Sequence, residues 1–260
     1  LSKNKLKYLS SLKIKKYRIK EQLFIVEGFR LINEALCAEA GGSPVFIQSI
    51  YYSKFFLKNK DTQYFFNQCK SKKINLLEIE QKDVDKLSDS INNQGIIAVI
   101  NIPKWQTSNF LTEESGQNQL ILDGIADPGN LGNILRTASW FGLSRVYLSK
   151  NSIDPYNEKV VRSAMGAHFY IDIVPIDIVE HIKRLKGNNC PIIGADIVGE
   201  SLYKWEPPER WAIILGNEAH GISDKIRKLI DYNITIPKLG NIESLNVSMA
   251  AGILLSHIKK

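Results

Sequence analysis

Arg136 is the residue whose type and position most invite a chemical question. It lies in LILDGIADPGNLGNILRTASWFG (Leu120–Gly142), which reads as a strand, a loop of Asp, Pro, Gly and Asn, and then a helix. Nucleotide-binding loops often begin this way, but the glycine spacing here is wrong for one. Gly129 and Gly132 give only G-x-x-G, without the third glycine of a dinucleotide fingerprint and without the Lys-Ser/Thr of a phosphate loop. An arginine one turn inside such a helix is ordinarily a salt-bridge partner; the alternative is that it serves whatever the loop holds. Two further polar loops follow apolar runs, GNEAHG (Gly216–Gly221) after WAIIL and KLGNIESLN (Lys238–Asn246) after NITIP. Taken alone, the first is a polar turn after a buried strand, and the second is a helix N-terminus capped by Ser244 or Asn246. His220 has no His, Cys or acidic partner at ligand spacing, so the expectation is no metal site.

Composition sets the class. The chain has 260 residues, 44% hydrophobic and 23% charged, which is ordinary for a globular protein of one large or two typical domains. The apolar runs IIAVI and WAIIL are far too short to span a bilayer, and no apolar h-region follows the lysine-rich start, which speaks against a secretory leader. Cys37, Cys69 and Cys190 are odd in number and scattered, so neither a disulfide framework nor zinc is indicated and a cytoplasmic, reduced protein is expected.

The net charge of +7 is uneven: residues 1–20 carry Lys3, Lys5, Lys7, Lys13, Lys15, Lys16, Arg18 and Lys20 and no acid. Three readings fit this segment: a solvated helix, a basic membrane-surface helix, or a phosphate-binding face. Leu6, Leu9 and Leu12 recur at helical spacing and could anchor it on a core, with Tyr8 and Tyr17 interleaved among the lysines.

Two blocks emerge along the chain. Strand candidates LFIVEG, VFIQSIYYS, INLLEIE and GIIAVINIP, with helices at Phe29–Ala40 and DVDKLSDS, predict an α/β domain over residues 1–103. Residues 104–119 are polar and aperiodic and read as a linker. Over residues 120–260, LILDG, RVYLS, FYIDIV, PIIGAD, WAIILG and NITIP alternate with helical patterns at Asn133–Phe141, Glu158–Met165, Val179–Leu185, Ser223–Leu229 and Ser244–Lys260. Such alternation predicts a mostly parallel sheet covered on both faces, with ligands beyond the carboxyl ends of its strands. That rule gathers Asp127–Asn133, Gly216–Gly221 and Lys238–Asn246 as one candidate site.

In order and wording, DPGNLGNILRTASWFG, ILGNEAHGIS and IPKLGNIESLNVSMAAGILL resemble the three signature motifs of the SpoU-type (TrmH-like) RNA ribose 2'-O-methyltransferases, S-adenosylmethionine enzymes of the SPOUT class. DPYNEKVVRSAMGAHFYIDIV and the N-terminal LKYLSSLKIKKYRIKEQLFIVEGFRLINEAL are also similar to that family, so the resemblance spans nearly the whole chain. It implies a small ribosomal-protein-like α/β substrate-binding domain followed by a catalytic domain with a C-terminal trefoil knot. It further implies a homodimer through the catalytic domain, with helices near the first loop and Ser244–Lys260 supplying apolar contact.

For the site, the resemblance implies a catalytic Arg136 with Asn130 beside it. The adenosine of S-adenosylmethionine would lie against Leu215, Gly216 and Asn217, Ile236, and Ser244, Leu245 and Asn246. Gly216, Gly221 and Gly240 would give close backbone approach, and Ile236 and Leu245 apolar walls. A guanidinium with a pKa above about 12 is a poor proton acceptor near neutrality, so the expected role of Arg136 is to position phosphate and stabilise charge on the ribose 2'-oxygen. The implied partner is RNA, first large-subunit ribosomal RNA and second transfer RNA, with Lys13, Lys15, Lys16 and Arg18 as the basic face. Two rival classes have their own marks. A non-catalytic RNA-binding protein on this fold would show loss of Arg136, Asn130 or SLN, all of which are present, and an NAD enzyme would need the missing G-x-G-x-x-G.

Overall fold

The computed structural model describes residues 1–58, 62–104 and 118–258. The chain forms two compact units, Leu1–Trp105 with Tyr156–Tyr170, and Gln106–Pro155 with Ile171–Lys260. The expected linker at 104–119 lies outside the described residues over 105–117, and its last residue, Gln119, already belongs to a strand.

In the first unit, α1 (Lys3–Ser11) and α2 (Lys15–Glu21) precede β1 (Leu23–Glu27), α3 (Phe29–Ala40), β2 (Ile47–Tyr52), α4 (Thr62–Ser71), β3 (Asn75–Glu78), α5 (Gln81–Leu87) and β4 (Ile96–Asn101). The sheet order is β1-β4-β2-β3, antiparallel except for the β2–β3 pair. Strand alternation divides the core in two. Phe24, Val26, Ile96, Ala98 and Ile100 pack with Leu31, Ile32, Ala35 and Leu36 of α3. Ile25, Ile97 and Val99 pack with Leu9 and Leu12 of the basic segment and with Val84 and Leu87 of α5. The leucines of the N-terminal segment do anchor it. A later helix, α7 (Glu158–Ala164), adds Val161 to the α3 side, so residues 156–170 group with this unit although they lie in the second block of the sequence.

The expected basic face needs one correction. Arg18 is 3% exposed, and its Nη1 donates to the carbonyl of Leu12 at 2.9 Å. Carbonyls in the last turn of a helix lack intrahelical donors, and here the guanidinium supplies one where the chain turns from α1 into α2. Arg18 is therefore a structural residue and not a phosphate contact. Lys13 is also engaged, donating to Ser88 O and Asp89 Oδ1, both at 3.2 Å. Lys15 and Lys16 are exposed.

The second unit holds β5 (Gln119–Leu122), α6 (Pro128–Trp140), β6 (Arg145–Ser149), β7 (Asp172–Ile176), α8 (Ile178–Gly187), β8 (Ile192–Ser201), β9 (Ala212–Leu215), α9 (Asp224–Arg227), β10 (Tyr232–Thr235) and α10 (Val247–Ile258). Its six strands run β10-β8-β9-β5-β6-β7, with every pairing parallel. Each residue of β5 and β9 is buried, the signature of a sheet covered on both faces. One side packs Ile121, Ile192 and Ile214 with Ile178, Ile182 and Leu185 of α8 and Ile226 of α9; α6 and α10 pack against each other. From β5 the chain moves outward through β6 and β7, then returns to the other side of β5 for β8 and β9. The strand order therefore reverses between β5 and β9, and a crevice is expected beyond their carboxyl ends. The expected strand FYIDIV begins three residues late, because Ala167–Phe169 forms a 3-10 turn after Gly166 at φ +97°.

Candidate active site

β5 and β9 end side by side, Leu122 opposite Leu215, and Asp123 N–H still donates to Leu215 O at 2.8 Å. From there each strand enters its loop. After β5, Gly124 turns the chain at φ +71°, and Asp127 caps α6 by accepting from Asn130 N at 2.8 Å, with Pro128 in the first turn. After β9, Asn217 and Gly221 exchange backbone hydrogen bonds at 2.9 Å each, closing a tight turn. Asn217 Oδ1 accepts from Ala219 N at 2.9 Å and His220 N at 3.2 Å, while its Nδ2 donates to Gly124 O at 2.7 Å. The Asn217 side chain thus shapes this turn and ties it to the loop after β5.

Gly216 is required for that turn. A Cβ there would lie 2.2 Å from the backbone of Gly221 and Ile222, so its lack of a side chain serves the turn itself. Gly240 differs from expectation: a Cβ would meet nothing within 4 Å, so no close approach demands glycine at that position.

The residue that unites the loops is Glu218, which sequence reasoning misses. Its carboxylate accepts from Ala126 N at 3.2 Å, Asp127 N at 3.1 Å and Asn130 Nδ2 at 3.0 Å. Burial alone would raise its pKa, but these donors favour the charged form and hold it below the usual carboxylate value. Asn130 Oδ1 in turn accepts from Asn246 Nδ2 at 2.8 Å. Asn246 caps α10, its Oδ1 accepting from Ser248 N at 2.9 Å and Ser248 Oγ at 2.6 Å. Glu218, Asn130 and Asn246 therefore form one relay across all three loops expected to share a site. An acid in a polar turn carries no marker in the sequence; three of its donors come from residues about ninety positions away.

An open hollow of about 600 Å³ lies at this junction, lined by Ala126, Asp127, Asn130, Asn217, Glu218, Ala219 and His220. Of the expected cofactor residues, Leu215 is buried at its strand end, Gly216 and Ile236 are half-buried, and Ser244, Leu245 and Asn246 are exposed. Leu239 and Ile242 on the third loop are exposed as well. Of the expected cofactor residues Asn217 alone is in the lining of the hollow, and the third-loop residues are not. Arg136 is exposed and its side chain makes no hydrogen bond or ion pair with any described residue, so it is not the ordinary helix salt-bridge partner. It shares the outer face of α6 with Asn133 and Trp140 and is not among the residues that line the hollow. Among the described residues no group of three or more His, Cys, Asp or Glu is placed to hold a metal, and no helix is long and apolar enough to cross a membrane.

The fold and the three-loop junction define an α/β methyltransferase of the SpoU class, and the chain belongs to the SpoU rRNA Methylase family, whose profile matches residues 117–256. Residues 3–98 match the MRM3-like substrate binding domain. The chain is 30% identical over 256 residues to the 23S rRNA (guanosine(2553)-2'-O)-methyltransferase RlmP of Bacillus subtilis, covering 98% of this chain and 96% of that protein. A solved RNA methyltransferase of the TrmH family from Porphyromonas gingivalis superimposes with a TM-score of 0.80 at 31% identity, covering 99% of this chain and 97% of that one. The AdoMet-bound rRNA methyltransferase of Sinorhizobium meliloti has the same fold, with a TM-score of 0.82 at 24% identity over 99% and 94% of the two chains.

Proposed function

We propose that this protein transfers a methyl group from S-adenosylmethionine to a ribose 2'-hydroxyl of large-subunit ribosomal RNA. The observation that carries the reading is the Glu218–Asn130–Asn246 relay, which draws the three loops together beyond the carboxyl ends of β5 and β9. Family membership and the relatives' names support the reaction class.

S-adenosylmethionine is consumed as a substrate and supplies an electrophilic methyl on a sulfonium. Its adenosine is assigned to Leu215, Gly216, Asn217, Ile236, Ser244, Leu245 and Asn246, with the apolar third loop against the base. Asn217 takes part through the shape of its turn, since its side chain is already occupied. The ribose 2'-oxygen gains negative charge as its proton leaves, before the bond to the methyl carbon is complete. Arg136, unpaired with any described residue, is assigned to hold the adjoining phosphate and stabilise that charge. Asn130 is held by Glu218 and Asn246, and it sets the loop on which the ribose rests. The chemistry asks for no metal, because the sulfur leaves as a neutral thioether.

Residues 1–103 are assigned as the RNA substrate-binding domain and 120–260, together with Gln119 of β5, as the catalytic domain, with the linker between them. Lys15 and Lys16 supply phosphate contacts. A homodimer through the catalytic domain would cover Trp140 of α6 and Met249 of α10, which stand 84% and 61% exposed. The C-terminal trefoil knot and a cytoplasmic location belong to the same reading.

The direct test incubates purified protein with tritium-labelled S-adenosylmethionine and an unmodified large-subunit ribosomal RNA transcript, then digests the RNA to nucleosides. Label in one 2'-O-methylnucleoside is expected. Label only in a base, or none with ribosomal RNA while transfer RNA is labelled, would overturn the assignment.

A further inference from the structure

Methylation of a 2'-hydroxyl releases a proton, and the groups facing the hollow differ sharply in their ability to take it. Asp127 is committed as the cap of α6, its Oδ1 accepting from Asn130 N. Glu218 has four protein donors aimed at it, the fourth being Asn217 Nδ2 at 3.4 Å, and is held as the anion, which makes it a weak proton acceptor. His220 remains. It lines the hollow and is exposed, and its ring makes no hydrogen bond to a described residue.

The main chain at His220 is fixed by the turn that carries it. Its backbone N–H donates to Asn217 Oδ1 at 3.2 Å, inside the turn closed by the mutual Asn217–Gly221 hydrogen bonds. Arg227 of α9 comes close to the same turn, its Nη2 3.6 Å from where a Cβ on Gly221 would stand. That charge is paired with Asp196. Asp127 and Glu218 are the acids that share the hollow.

We propose that His220 is the general base of the reaction. The inference rests on the proposed ribose methylation and adds the destination of its proton. The 2'-O–H bond breaks as its proton passes to an unprotonated imidazole nitrogen. The oxygen's electron pair forms the bond to the methyl carbon, while the old carbon–sulfur pair leaves with the sulfur. The imidazolium then releases its proton to water. Imidazole is the side chain whose ordinary titration range falls at physiological pH, where a general base is most effective.

The test compares single-turnover methylation of an unmodified large-subunit ribosomal RNA transcript by wild type, His220→Gln and His220→Ala between about pH 5.5 and 9, a window that brackets imidazole titration. Wild type should gain rate with pH through one inflection and then level off. Both variants should lose that inflection and fall by about a hundredfold or more at the plateau. Their S-adenosylmethionine affinity, read by calorimetry, should be unchanged. Added free imidazole should restore part of the His220→Ala rate in proportion to its unprotonated form, an effect that repair of a merely structural defect would not produce. Variants with wild-type rate and inflection, or a slow His220→Ala that imidazole fails to rescue, would overturn the role of His220 while leaving the methyltransferase reading intact. No methyl transfer to any ribose by wild type would overturn both.

Discussion

Replacing Glu218 by Gln keeps the shape of the side chain and removes the charge on which four donors converge, three of them from residues 126–130. One amide oxygen can still accept from one or two of them, but the new NH2 must face an N–H of Ala126 or Asp127. Hydrogen bonds to a charged group contribute roughly 1.5–3 kcal/mol each when buried, and exposure at this site reduces that by screening. With Glu218 exposed and at least one of these bonds broken, a destabilisation of about 1–2 kcal/mol is expected. In urea unfolding the midpoint should drop without a change in slope. The larger effect should be on rate. Freed from Glu218, Asn130 and the loop after β5 can drift, and a misplacement of about 1 Å at a reacting centre costs on the order of a hundredfold. Because the depressed pKa makes the charged form the stabilising one, wild type should lose this contribution as pH falls through the folded-state value, and Glu218→Gln should show no such loss. Wild-type turnover in a folded Glu218→Gln would refute the relay as the device that sets the site.

Other perturbations separate the parts. Arg136→Ala should retain the fold and S-adenosylmethionine binding but drop roughly a hundredfold or more in methyl transfer, and Arg136→Lys should be nearly as slow if bidentate grip on a phosphate dominates. A fully active Arg136→Ala would remove the arginine from the mechanism. Replacing Lys15 and Lys16 by Gln should weaken RNA binding and reduce the slope of log K against log salt by about 0.7–0.9 for each phosphate no longer neutralised, with cofactor affinity unchanged; an unaltered slope would make them only a solvated face. His181 is buried against Gln119, its ring nitrogen 2.7 Å from Oε1, and burial together with Arg184 and Arg145 pushes the imidazole down to about 4. Its contribution is full above the unfolded value near 6.5 and is lost as pH falls toward 4, by up to about 3 kcal/mol. The unfolding free energy of His181→Gln should fall less steeply over that window; an identical slope would contradict the assignment.

How much of this was legible in the residues follows from their physics. α3 could be read from Leu31, Ile32, Ala35 and Leu36 because one helix face carries nearly all of its burial. α4 was not, since TQYFFNQCKS buries only Thr62, Phe65 and Cys69 within a polar, aromatic stretch. The lysine face misled at Arg18, where a local carbonyl needed a donor and charge alone could not tell inward from outward. For the candidate site, the strand–loop–helix pattern pointed to the three loops that the Glu218–Asn130–Asn246 hydrogen bonds join. Asn246 as a cap was legible from its place before an apolar helix. Glu218 was not, because its importance lies in where three distant donors point.

The most direct measurement is a map of 2'-O-methyl groups in ribosomal RNA from cells with the gene, without it, and with Arg136→Ala in its place. Mass spectrometry should find one large-subunit ribose methylated by wild type and unmethylated in the other two. A map identical in all three would contradict the proposed activity.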